Sequence, residues 1–195
     1  MSRLSDLKAD EACSPPEFSL DDRQTLLRIA HESLFSALTD RALPQTPSSP
    51  RLSEFRGVFT TLYLHGSLRG CVGYALPVAP LYLAVAETAR AAAFEDSRFS
   101  PVTRAEAPEL KVSLSVLSPL SPIRPEDVEV GRHGLVVSLG ANRGLLLPQV
   151  PAEYGWDRET FLRQTCHKAG LPSDAWLRGA LLESFTAEVF GDNRA

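Results

Sequence analysis

Apolar residues recur at helical spacing behind Leu20. Leu26, Leu27, Ala30, Leu34, Ala37 and Leu38 share one side and predict a helix that buries that face. Ser19 is placed to cap it, with Asp22 three residues on to return the bond. The segment PQTPSSP at 44–50 cannot continue a helix and reads as an extended loop. From Phe55 to Leu64 the β-branched and aromatic residues predict a strand. A turn at His65-Gly66-Ser67 and a return strand over Leu68 to Tyr74 complete a hairpin. The alanine-rich run from Leu81 to Phe94, opened by Pro80, predicts a largely buried helix with Glu87 and Arg90 on its wetter edge.

The alternation then returns. Lys111 to Ser118 places Val112, Leu114 and Val116 on one strand face, and Pro119 and Pro122 end the run. Gly134 to Gly140, a turn at Ala141-Asn142-Arg143, and Gly144 to Pro148 predict a second hairpin. Asp157 caps a helix from Arg158 to Ala169, Trp156 is placed to staple onto Phe161, and Gly170 ends it. A short helix near Ser173 to Arg178 leads to a final strand around Leu182 to Phe190. Hairpins and helices mixed without regular β-helix-β alternation predict an α+β fold with an antiparallel sheet. Leu34, Val85, Val112, Val116 and Phe161 are the expected core. Residues 1–17 read as a mobile N-terminal tail, 18–190 as a single domain, and 191–195 as a C-terminal tail.

Composition narrows the function classes. The 195 residues are 44% hydrophobic and 23% charged, with a formal net charge of −4. That balance excludes disorder throughout and gives no reason for non-specific binding to nucleic acid. No run reaches the roughly 20 apolar residues of a membrane span, so no membrane association is expected. The N-terminus lacks the apolar core of a secretory signal. Cys13, Cys71 and Cys166 are few and scattered, with neither zinc spacing nor a disulfide framework, so a cytoplasmic protein is expected. There is no dinucleotide fingerprint or Walker lysine, and no cofactor is expected.

The segment LRGCVG at 68–73 carries the candidate chemistry. Two glycines around a cysteine imply a bulge or the close approach of another group. Arg69, two residues before Cys71, shares its face if the strand stays regular. A guanidinium there would favour the reactive thiolate and attract anions. The alternative is a small buried thiol in a tight hairpin. Glu95, Asp96 and Arg98, between Phe94 and Phe99, offer carboxylates and a cation for acid–base or binding work, or else form a solvated helix end. His65 and His133 lie in glycine-flanked turns, and either would make a cysteine–histidine pair if it met Cys71. Gln149 is the polar group placed to face a cavity.

Together LRGCVG at 68–73, FEDSRF at 94–99, SVLSP at 115–119, GRHGL at 131–135, GLLLPQV at 144–150 and the Trp156 to Trp176 series resemble the AMMECR1 domain family, whose prokaryotic members are also called AmmeMemoRadiSam system protein A. The resemblance spans roughly residues 18–190. It differs at Val72, where the family usually has Ile, and at Ser97, where it usually has Pro. It implies an antiparallel sheet flanked by helices, a smaller β lobe and a cleft between them. It also implies a place in one pathway with a Memo-like protein and a radical SAM protein, without assigning a reaction or a cofactor. Two roles are expected from it. One is a binding or partner module using Arg69, Gly70, Gly73, Glu95, Asp96, Arg98 and Gln149. The other is an enzyme or covalent carrier with Cys71 as nucleophile and His133 or His65 as base.

Overall fold

The computed structural model describes residues 16–39 and 46–192. The first helix, α1 (Leu20–Thr39), opens on the expected reciprocal cap. The Asp22 N–H donates to Ser19 Oγ at 3.1 Å and the Ser19 N–H to Asp22 Oδ2 at 3.3 Å. Its buried stripe runs through Leu26, Ile29, Ala30, Ser33 and Leu34, leaving Ala37 exposed. α2 (Leu81–Phe94) buries most of its alanines, which lets it lie close on a sheet, while Glu87 and Arg90 stay exposed.

That sheet comprises β1 (Val58–Leu64), β2 (Ser67–Tyr74), β3 (Leu110–Leu117) and β8 (Ala187–Gly191), in the order β2-β1-β3-β8. Every pairing is antiparallel. Val58, Thr60 and Leu62 are fully buried beneath the helices, and the Thr60 and Thr88 hydroxyls join sheet to α2 at 2.8 Å. The period of two sends Phe59, Thr61 and Tyr63 to the opposite face. There they are only partly buried, so this face is the open one.

The second sheet has the order β4-β7-β5-β6, from β4 (Ser121–Pro122), β5 (Gly134–Leu139), β6 (Asn142–Leu146) and β7 (Leu181–Phe185). The short helix α3 (Gln149–Glu153) follows β6, and α4 (Arg158–Lys168) packs on the sheet through Phe161, Leu162 and Cys166. Its cap is Asp157, whose carboxylate accepts the Thr160 N–H at 2.8 Å. Trp156 packs against the same cluster as Phe161. A separate cluster of Leu117, Val136 and Phe185, flanked by Phe59, Leu145 and Leu147, joins the two sheets.

The single final strand expected over 182–190 is two strands in different sheets, β7 in the second and β8 in the first. The chain crosses between sheets twice, and the crossings are bonded to each other. The Ser118 N–H donates to the Thr186 carbonyl at 2.9 Å, and the Thr186 N–H to Ser118 Oγ at 3.0 Å. The expected core residues Leu34, Val85, Val112, Val116 and Phe161 are all buried. The expected short helix near 173–178 is a 3-10 turn, Ala175–Leu177. Contacts reach Glu17, whose side chain pairs with Arg56, and Asp192 at the other end. The tail expected before Glu17, including Cys13, lies outside the described residues up to residue 15, as does 193–195. Among the described residues no helix is long and apolar enough to cross a membrane.

Candidate functional site

A bulge in the first hairpin sets the position of Cys71. The pairs nearest the turn are Leu64 with Ser67 and Tyr63 with Leu68, but the next is Leu62 with Gly70. Arg69 is therefore the extra residue, and the shift brings Cys71 opposite Thr61. Cys71 Sγ lies 3.2 Å from Thr61 Oγ1, on the open face. The flanking glycines answer to packing. A Cβ on Gly70 would lie 2.0 Å from the Ala92 carbonyl oxygen of α2, and one on Gly73 would lie 2.4 Å from the Phe59 ring. Close approach does occur at both, and the approaching groups belong to the chain itself.

β2 is an edge strand, and the turn after α2 covers its edge. Asp96 accepts the Cys71 N–H at 2.9 Å, and Arg98 reaches the Cys71 carbonyl at 3.5 Å. The two side chains also pair with each other at 2.7 Å. The Asp96 side chain is only 6% exposed. The Arg98 hydrogen bond, with the backbone N–H groups of Cys71 and Arg98, holds the Asp96 carboxyl well below the usual carboxylate range despite that burial. The same pairing raises the Arg98 guanidinium.

Arg69, freed from the alternation by the bulge, turns to the segment after α2. Its guanidinium bonds both Glu106 oxygens, at 3.0 and 3.3 Å, and the Ser100 carbonyl at 2.8 Å. Glu106 in turn accepts the Thr103 N–H and hydroxyl at 2.8 and 2.9 Å. The Arg69 bonds, then those from Thr103, pull the Glu106 carboxyl down to about 2. Arg69 is thus committed to an internal ion pair, and the cation beside Cys71 is Arg98.

The structure keeps both candidate histidines in their turns. His65, at the tip of the first hairpin with φ of 49°, has Nε2 3.5 Å from Glu109 Oε2. His133 precedes β5 in the second sheet, where Nδ1 accepts the Glu129 N–H at 3.0 Å. Burial pushes the His133 ring below its ordinary value and keeps it neutral, as that acceptor role requires. Glu95 is exposed at the C-terminal end of α2, and Gln149 is exposed at the start of α3. The structure therefore gathers Cys71, Asp96 and Arg98 around one strand edge, with Arg69 and Glu106 beside them. Sequence reading missed Thr61 and Glu106. A plain two-residue turn would pair Thr61 with Gly70, so only the bulge reveals Thr61 as the neighbour of the thiol. Among the described residues no cluster of three or more His, Cys, Asp and Glu side chains is placed to hold a metal ion.

A family model described as AMMECR1 matches residues 27–190. A protein of Thermococcus gammatolerans is 45% identical over 179 residues, covering 85% of this chain and 87% of its own. One from Methanopyrus kandleri is 40% identical over 186 residues, covering 89% and 90%. The crystal structure of an uncharacterised protein from Pyrococcus horikoshii superposes with a TM-score of 0.72 at 41% identity, over 86% of this chain and 90% of that one.

Proposed function

Because the chain belongs to the AMMECR1 family, we propose that it is a binding component of a pathway shared with a Memo-like protein and a radical SAM protein in the cytoplasm, and that it recognises an anionic group or partner on the open face around Cys71. The observation that carries this reading is the engagement of the charged groups. Asp96 is spent on the Cys71 N–H and on Arg98, and Glu106 on Arg69 and Thr103. The hydrogen-bond partner of the thiol is the Thr61 hydroxyl, a poor base. A surface whose Asp96 and Glu106 are locked and whose Arg98 side chain is 57% exposed suits recognition of a negative group better than proton transfer.

The second reading makes Cys71 a nucleophile in an enzyme or covalent carrier, and the place of its sulfur on the open face beside the Thr61 hydroxyl is what favours it. One experiment separates them. Cys71→Ser retains a hydroxyl of similar size, so capture of the Memo-like or radical SAM protein is expected to stay within about fivefold of the native chain, as for a near-neutral interface contact. Loss of capture in that variant overturns the binding reading. Timed iodoacetamide labelling, resolved by residue, tests the other. Burial pushes the Cys166 thiol up, and that residue is expected to be the slowest. A Cys71 slower than Cys13 from about pH 6 to 8 overturns the nucleophile, because an activated thiol must ionise first.

A further inference from the structure

The open face of the first sheet does not end at Cys71. Across β1 the row Cys71, Thr61 and Ser113 continues through paired positions to Gly191 on β8. At that far side the surface sinks into a hollow of about 190 Å³ whose lining includes Lys111, Ser113, Val189, Gly191 and Asp192. That volume equals about six waters at liquid density, which suits a ligand of a few heavy atoms rather than a nucleotide. Gly191 lets β8 lie this close, since a Cβ there would stand 2.5 Å from the Val112 carbonyl oxygen.

The charges around the hollow are unequal. The Asp192 carboxylate is turned onto the Val112 N–H and onto His31 Nε2, both at 2.8 Å. Lys111 makes no ion pair among the described residues, and the Ser113 hydroxyl has no side-chain partner among them. Being two residues apart on one strand, the two point to the same face about 7 Å apart. Val189, 62% exposed, supplies an apolar wall. An available ammonium, an available hydroxyl and a short apolar wall match a carboxylate carrying a short aliphatic chain.

We propose that this hollow is a subsite for the carboxylate end of a small organic acid, with Lys111 supplying the charge, Ser113 a donated hydrogen bond and Val189 the apolar contact. It deepens, and rests on, the reading of the open face as a binding surface. Ser113 lies two strand spacings from Cys71, about 10 Å, so a ligand anchored at Lys111 extends toward the thiol.

The test is a backbone-amide NMR titration of the whole chain with sodium propionate, inorganic phosphate and uncharged propionamide at matched ionic strength. Propionate is expected to shift Val112, Ser113 and Gly191 saturably, with propionamide and the Lys111→Met variant each weaker by at least about tenfold, as for a lost charge-assisted contact. Lys111→Arg keeps the charge and is expected to stay within about threefold. Lys111 is exposed, so both variants should fold, and an unchanged amide spectrum verifies it. Equal propionate binding by Lys111→Met, equal binding of propionamide, or saturation by phosphate alone overturns the assignment. Shifts at Val112, Ser113 and Gly191 that are lost in Lys111→Met sustain the hollow, since propionate is too short to reach Cys71. Shifts confined to Thr61, Cys71 and Arg98 overturn the hollow and leave the open-face reading standing.

Discussion

The Arg69–Glu106 pair gives the candidate site its firmest electrostatic statement. Arg69 is 12% exposed and Glu106 25%, so the pair sits where water screens it only partly. Glu106→Gln keeps the shape and some hydrogen bonds but leaves a largely buried guanidinium without its counter-charge. The expected loss is about 1–3 kcal/mol at neutral pH, read by urea denaturation. The pH dependence has a definite sign. The folded carboxyl titrates near 2, below the unfolded reference of about 4.3. Its stabilisation is therefore complete above that reference and disappears as pH falls through the folded value. The gap between native and Glu106→Gln chains is expected to narrow steadily over that window. A gap independent of pH would mean that the ion pair contributes nothing. Sequence pattern marked Arg69 as a candidate but not its partner, because the two are 37 positions apart and meet only when the turn after α2 folds along β2.

At the scale of elements, α2 and β2 touch through a backbone-to-backbone contact that glycine alone permits. The Ala92 carbonyl oxygen stands where a Gly70 side chain would begin, at 2.0 Å. Gly70→Ala must push the helix off the strand, since neither atom belongs to a flexible side chain. Such overpacking is expected to cost about 1–3 kcal/mol and to loosen the Asp96 bond to Cys71, which the same helix end carries. Slower amide exchange at Cys71 in the variant, or an unchanged melting temperature, would show that this contact is not what sets the helix height. The elements themselves were legible from periodicity and caps, as α1 and α4 illustrate with Ser19 and Asp157. The glycines around Cys71 signalled a bulge or a close approach, and both occur, but that Arg69 is the extra residue shows only in the pairing of β1 with β2.

Over the whole molecule, the two ends of the described chain are fastened together. Phe18 is 1% exposed, its ring lies 6.3 Å from that of Phe190, and Arg23 pairs with Glu188 at 2.9 Å. Edge strand β8 is thereby held by the segment that opens α1. Phe18→Ala is expected to cost about 3–5 kcal/mol through lost burial and the cavity left behind. Since β8 is paired only to β3 among the described residues, amide exchange should rise first over Ala187–Gly191. Unchanged exchange there would mean that β8 is held by its ladder to β3 alone. The same strand forms one side of the hollow beside Lys111, so the fastening also bears on the proposed subsite.

What the sequence determined by itself was everything carried by short-range pattern. That includes α1, α2 and α4, the caps Ser19 and Asp157, the two hairpins, the α+β class, the core positions Leu34, Val85, Val112, Val116 and Phe161, and the family through its ordered motifs. Each depends on neighbours within a turn or a strand, so local spacing is enough to show it. The pattern does not include α3, nor the place of the second turn, which is Gly140-Ala141 with Asn142 and Arg143 already paired in β6 rather than Ala141 to Arg143. The tertiary structure alone decided that Leu182 to Phe190 splits between two sheets. It alone also placed Thr61 at the thiol, gave Arg69 to Glu106 and Cys71 to Asp96 and Arg98, and joined Ser113 to Gly191. Those contacts are set by strand register and by helix docking between segments far apart in the chain, so no local spacing shows them.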